Sequence, residues 1–414
     1  MITDLPNVVV DLAARCADAG GRAYLVGGGV RDHLMGRAVH DWDIEVFGLP
    51  ATSLVGLLKR LGTVNAVGRS FGVYKLRPHG WARDRAEVDV SIPRRDSKVG
   101  PGHRGISVEG DPHMSLVEAT RRRDLTVNAI LYDVLNRSFE DPWNGRADIR
   151  QKRLCAVDRE TFLEDPLRAL RVIQFAARLE FSVDSVLMDI CKEANLHELP
   201  SERVQGEWAK LMMSIRPSIG MDVAREARVL ARVFPEVARC EQGAALDRLA
   251  KHQRDSLPTV GQRWCVMLAT WLKGASEPDV VATLDRLTLH RCRGYPLREK
   301  LLQVMRYADL PTDSDGGLRN LAARAEVGVV LRSRWALTED TTCLDTLARA
   351  RLLGLEFTQP PALLRGRDLK EIGMAPGPAI GTVLKAVYQL QLDGHVTTHQ
   401  DALDAALRLS ESPS

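Results

Sequence analysis

The chain has 414 residues, too many for one ordinary core, so two to four domains are expected. Hydrophobic content of 45% with 27% charged residues is that of a globular protein in water, and a net charge of +3 confines any nucleic-acid surface to a local patch. Aromatic content of 5% argues against a base-stacking sheet as the main binding device, and the most apolar segment, residues 264–272, is far too short to span a bilayer.

In chain order, Asp4 is placed to cap a helix over about residues 7–19, with apolar residues at 8, 9, 12, 13 and 16 and a stop at Gly20-Gly21. Arg22–Val26 reads as a short strand entering Gly27-Gly28-Gly29, with a helix starting near Val30. Trp42–Phe47 alternates apolar and acidic, the period of a half-buried strand. Ala51–Leu61 suits a helix, strands follow at 63–67, 73–76 and 86–92, and a Gly-, Pro- and charge-rich loop spans about 93–111. A turn at Asp141-Pro142-Trp143-Asn144-Gly145 closes an α/β region. Beyond Leu154 amphipathic helical segments dominate, and residues 410–414 read as a loose tail. Seven scattered cysteines without a Cys-x-x-Cys pair read as reduced thiols, and Asp4 and Asp11 interrupt the first apolar stretch, unlike a signal peptide. A cytoplasmic protein is expected.

The glycine run and the acidic pair Asp41 and Asp43 carry the chemistry. Glycines let the backbone approach a polyphosphate, and backbone amides at a helix start attract its charge. Residues i and i+2 of a strand share a face, so Asp41 and Asp43 can ligate common cations; two divalent ions about 3.5–4 Å apart suit phosphoryl transfer. This is no dinucleotide fingerprint, since Asp32 stands where its third glycine belongs, and no Gly-Lys-Ser/Thr follows as in a Walker loop. Asp89, with Glu87 as the alternative, is the candidate third carboxylate. Arg121-Arg122-Arg123, read as the head of a helix, opposes the helix dipole and calls for anions, and Asp124 and Asn128 at i,i+4 offer hydrogen bonds to a ribose. Glu164-Asp165-Pro166-Leu167-Arg168 reads as a helix start. Glu164, Arg168 and Arg171 would fall within about 60° of one face, presenting the acceptors and fork donors that read a base edge.

Taken together, these motifs resemble the class II tRNA nucleotidyltransferases, the CCA-adding enzymes, and the related bacterial poly(A) polymerases. The resemblance rests on Gly27-Gly28-x-Val30-Arg31-Asp32, Asp41-x-Asp43, Arg122-Arg123-Asp124-x-Thr126-x-Asn128-Ala129 and Glu164-Asp165-x-x-Arg168, and spans about residues 24–213. Asp89 followed by Arg94, Asp141 to Gly145, and Ser201-Glu202-Arg203 look like further family landmarks.

The resemblance implies an α+β chain: a polymerase-β-like nucleotidyltransferase head with a mixed sheet (residues 1–150), a helical neck carrying the nucleotide-selecting helix (151–215), and a helical body and tail that bind tRNA (216–414). It implies Mg²⁺ at Asp41 and Asp43, with Asp89 assisting the attacking hydroxyl. Gly28, Arg31, Arg123 and Arg171 would lie near the phosphates of ATP or CTP, and Arg122, Asp124 and Asn128 around the sugar. Glu164, Asp165 and Arg168 would select C and then A for the tRNA 3′ end.

Two departures stand out. Gln174 occupies a place where many relatives carry an arginine, and residues 268–273 lack the His-Asp pair of a phosphohydrolase domain, so that activity is not expected. The charged segment Arg94-Arg95-Asp96-Ser97-Lys98 looks like the element of A-capable enzymes, favouring full CCA addition or A-addition over CC-addition alone, and residues 410–414 are unlike the basic C-terminal extension that poly(A) polymerases often carry. Outside the class, a catalytically silent RNA-binding protein would not need the acidic set.

Overall fold

The computed structural model describes residues 2, 5–39, 41–67, 72–82, 87–98 and 106–411. Two units emerge, one of residues 1–211 and 219–233, the other of residues 212–218 and 234–414. As expected, an N-terminal mixed sheet is followed by a mostly helical remainder.

Helix α1 (Asn7–Asp18) follows Pro6 and buries Val9, Leu12, Ala13 and Cys16, a single stripe at helical spacing. The Asp4 cap lies outside the described residues. Next come β1 (Arg22–Val26), α2 (Gly28–Leu34), β2 (Trp42–Phe47), α3 (Ala51–Leu61), β3 (Gly62–Val67), β4 (Val73–Pro78) and β5 (Val88–Ser91). The first residue expected in the last of these strands, Ala86, is outside the described set.

The expected loop over 93–111 contains instead β6 (Arg94–Lys98) and β7 (Ile106–Gly110), paired antiparallel from Arg94 opposite Gly110 to Lys98 opposite Ile106. The signal for β7 was the alternation of Ile106, Ser107, Val108 and Glu109. Helix α4 (Leu116–Arg121), β8 (Leu131–Asp133) and β9 (Ser138–Glu140) complete the head.

The seven-stranded sheet runs β3-β4-β5-β2-β1-β8-β9. Its β2–β5 pair is parallel and the others are antiparallel. Strand β2 therefore lies inside the sheet, and apart from Asp43 it is buried along its whole length. It is not the half-buried strand that its alternation suggests, because Glu45 is also fully buried.

Two more expectations change. Arg121 ends α4 and does not begin a helix: Ser115 and Glu118 form a capping box that starts the helix earlier. The basic residues thus sit where the dipole favours them. Likewise Glu164 does not share a helix with Arg168. After α5 (Gly145–Gln151), α6 (Arg159–Glu164) stops, Asp165 is extended (φ −121°, ψ 98°), and α7 (Leu167–Leu179) begins after Pro166. A residue before proline is driven out of the helical region by the ring, which breaks the run at Asp165.

The second unit is helical among the described residues. Val260–Trp271 starts with a Thr259–Gln262 capping box, and Val327–Thr338 buries Arg332, which donates to the Gly328 carbonyl (2.7 Å) and pairs with Glu356 (2.8 Å). Residues 364–406 form a core of their own around Leu369, Val387 and Ala402. The last helix, His399–Glu411, takes in Ser410 and Glu411, two of the residues expected in a loose tail; 412–414 lie outside the described residues. No described helix is long and apolar enough to cross a membrane.

Candidate active site

The first unit holds a cavity of about 670 Å³, within the usual range for small-molecule sites. Its wall contains every nucleotide-binding and catalytic residue named from the sequence except Asp89, its alternative Glu87, and Glu164.

One side is acidic. Asp41 and Asp43 both line the cavity at the start of β2. Asp43 stands directly across the parallel ladder from Asp89 on β5. The Asp43 carboxyl is pushed up to about 6, first by burial, then by the charge on Asp89, with Asp41 adding and Arg123 and Lys75 opposing. Asp89 is paired with Lys75 (3.2 Å), and Glu87 with Arg77 (2.9 Å). Among the described residues no three ligating side chains converge on one point. Asp43 thus carries negative charge that its neighbours do not fully offset, the setting that a divalent cation relieves.

The glycine turn abuts this acidic side. Gly27 has a φ of 71°, open to glycine at no steric cost, and a Cβ there would lie 3.4 Å from Arg123 Nη1 and 3.5 Å from Asp43 Oδ2. A Cβ at 27 would make ordinary contact with both the acidic and the basic side, and the left-handed backbone is what favours glycine there.

A ring of five residues, drawn from α2, the 124–128 segment and α7, builds the basic wall. Arg31 Nη1 donates to Asn128 Oδ1 (2.6 Å), Asn128 Nδ2 donates to Asp124 Oδ1 (3.1 Å), and Arg171 Nε donates to Asp124 Oδ2 (2.7 Å). The Arg31 and Arg171 guanidiniums each lie 5.2 Å from the centre of the Phe175 ring, closing the loop with two cation–π contacts. Asp124 and Asn128 are thus brought together as their spacing suggested, through a 3₁₀ turn (Thr126–Asn128) and not an α-helix. Thr126 anchors that turn by donating to the buried Asp148 (2.7 Å). Burial pushes the Asp124 carboxyl up, yet the charge of Arg171 and the bonds from Asn128 and Arg171 hold it below the usual carboxylate range. It stays ionised and acts as an acceptor only.

The remaining wall surrounds the α6–α7 break. Arg203 forks onto Asp165 (3.2 and 2.8 Å), while Arg168 donates to the Thr161 carbonyl (2.7 Å) and the Arg122 carbonyl (2.6 Å). Gln174 is buried in α7 and is not part of the cavity wall.

Phe175, Arg178 and a role for Arg203 escaped the sequence reading. Phe175 was legible as an aromatic four residues after Arg171, one helical turn on. Glu45 was legible too, as the next same-face residue after Asp43.

Comparison with known proteins supplies a family. The poly A polymerase head domain family matches residues 23–155, and the probable RNA and SrmB-binding site of polymerase A matches residues 184–241. A multifunctional CCA protein of Aromatoleum aromaticum is 38% identical over 53% of this chain and 51% of its own length. A CCA-adding enzyme of Marinobacter nauticus is 36% identical over 63% of this chain and 67% of its own. The chain thus spans about half the length of the first of these relatives and two thirds of the second. Among solved structures, the Bacillus stearothermophilus CCA-adding enzyme in complex with CTP has a TM-score of 0.74 at 21% identity, covering 99% of this chain and 98% of that one. The Thermotoga maritima CCA-adding enzyme complexed with tRNA has a TM-score of 0.64 at 21% identity, covering 98% and 95%. At that identity the likeness establishes the fold.

Proposed function

The chain belongs to the family of CCA-adding enzymes and bacterial poly(A) polymerases, and from that membership we propose that it is a template-independent tRNA nucleotidyltransferase, adding C and A from CTP and ATP to the tRNA 3′ end in the cytoplasm. The observation that carries this reading is one cavity walled on one side by Asp41 and Asp43 and on the other by arginines. Nucleotidyl transfer needs both. The arginines neutralise and align a triphosphate, and the carboxylates serve the reacting oxygens.

Asp41 and Asp43 are the residues that would hold Mg²⁺, and the charge strain at Asp43 supports the fit. Mg²⁺ bound there would offset charge on the triphosphate and on the attacking hydroxyl. Asp89, opposite Asp43, supports the 3′-hydroxyl side. Gly28, Arg31, Arg123 and Arg171 face the phosphates, and Arg122, Asp124 and Asn128 the sugar. Asp165 and Arg168 select the base, with Glu164 contributing its charge from the end of α6. The head ends near residue 150, the neck near 215, and the body and tail grip the tRNA.

The test is incubation with tRNA transcripts ending in the discriminator base, C or CC, and each labelled nucleotide. Completion of CCA on all three transcripts is expected. Extension of the CC-ending transcript alone would mark an A-adding enzyme, extension of the other two without A a CC-adding enzyme, and long A tracts a poly(A) polymerase. No incorporation with intact tRNA binding would overturn the catalytic reading.

A further inference from the structure

Glu45 is fully buried on β2, two residues past Asp43, with Tyr24 and Ser91 as its cross-strand neighbours. Two arginines meet it: Arg122 Nη2 lies 2.8 Å from Oε1, and Arg123 Nη2 lies 3.6 Å from Oε2. Both arginines also line the cavity, where their side chains keep 24% and 18% exposure. The Nε atoms of both arginines and Oε2 of Glu45 are buried with no hydrogen-bond partner among the described residues. The cluster is therefore a carboxylate sealed in the sheet, holding two adjacent guanidiniums that reach past it into the cavity.

We propose that Glu45 is a positioning residue: it clamps Arg122 and Arg123 side by side, so that Arg123 is aimed at the nucleotide's phosphates and Arg122, beyond its place beside the sugar, reaches them as well. Two neighbouring guanidiniums repel each other, and on flexible side chains they would separate toward water. An intervening buried carboxylate removes that repulsion and fixes both forks from behind, leaving one net positive charge facing the cavity. Asp43 and Glu45, two residues apart on one face of β2, thus give the strand two tasks: Asp43, with Asp41 just before the strand, serves the cavity, and Glu45 holds the two arginines.

The role rests on the proposed contact between these arginines and a triphosphate, and the test separates the two ideas. Equilibrium affinities for CTP and CMP are measured on the full chain for wild type, Glu45→Gln, Glu45→Asp, Arg122→Ala and Arg123→Ala. Glutamine keeps the shape but turns amide donors toward guanidinium donors. The CTP-to-CMP preference should fall roughly tenfold to a hundredfold in Glu45→Gln, the loss expected for a charge-assisted hydrogen bond. Glu45→Asp, which keeps the charge one methylene back, should recover part of it. Equal weakening of CTP and CMP in Glu45→Gln would reduce Glu45 to a structural residue and overturn the proposal. A preference that drops in the arginine variants but stays intact in Glu45→Gln would also overturn it. Arginine variants that leave the preference unchanged would overturn the phosphate contact itself, and the role of Glu45 with it.

Discussion

Asp43 is held where its own charge is unwelcome, half-buried two residues from Asp41 and opposite Asp89, with its carboxyl pushed up to about 6. A carboxyl raised in the folded state binds its proton more tightly than in the unfolded chain. Its ionisation therefore costs folding stability, and the cost grows as pH rises through the folded value. In the metal-free protein Asp43→Asn should be more stable than wild type by about 1–3 kcal/mol at pH 8, given the size of the shift. The gap should close between about pH 6 and 4 and vanish below. Urea unfolding in EDTA across that range checks this, and a gap independent of pH would refute it. Function points the opposite way. Asp41→Ala or Asp43→Ala should abolish nucleotide transfer while leaving tRNA binding intact. Incorporation near the wild-type rate in Asp43→Ala would remove it from the catalytic set.

At the scale of elements, the break between α6 and α7 shapes the selecting wall. Pro166 parts Glu164 from Arg168, and Arg168 then bonds the Thr161 and Arg122 carbonyls, tying α6, α7 and the arginine turn together. Arg168→Ala should therefore do two things. It should admit U and G more often, since a fork donor near the base is lost. It should also lower stability, because two carbonyls lose donors worth about 1–3 kcal/mol each where they are buried. Arg168→Lys should not restore selectivity, since one ammonium cannot reproduce the planar fork. Incorporation of all four nucleotides, with thermal melts alongside, measures both effects. Unchanged preference for C and A in Arg168→Ala would leave this residue as a brace between helices.

At the scale of the molecule, a net charge of +3 means that RNA affinity has to come from local arginine and lysine clusters meeting phosphates, with few aromatics to stack on bases. Affinity for tRNA should thus fall at least about tenfold between roughly 50 and 200 mM salt, as counterion release at several phosphates requires. Filter binding across that range tests it, and salt-insensitive binding would point to base stacking as the main grip.

Much of this was legible in the chain itself, because some patterns are local. The limits of β1, β2 and α3, the glycine turn, the paired aspartates and the helical remainder follow from short-range periodicity and backbone preference, which neighbouring residues carry by themselves. The capping box at Ser115 and Glu118 and the proline after Asp165 were equally local, and they show how one cap or one ring relocates a helix end that residue spacing alone misplaces. Only the tertiary structure decided which charges face one another. Nothing near Glu45 in sequence marks it as the partner of Arg122, 77 residues away, and the spacing that sets Phe175 beside Arg171 does not foretell that Arg31 meets the same ring. Burial of a charge is settled by what the fold brings against it. A carboxylate that alternation places on a wet strand face becomes a buried anchor once two guanidiniums arrive from another element to meet it.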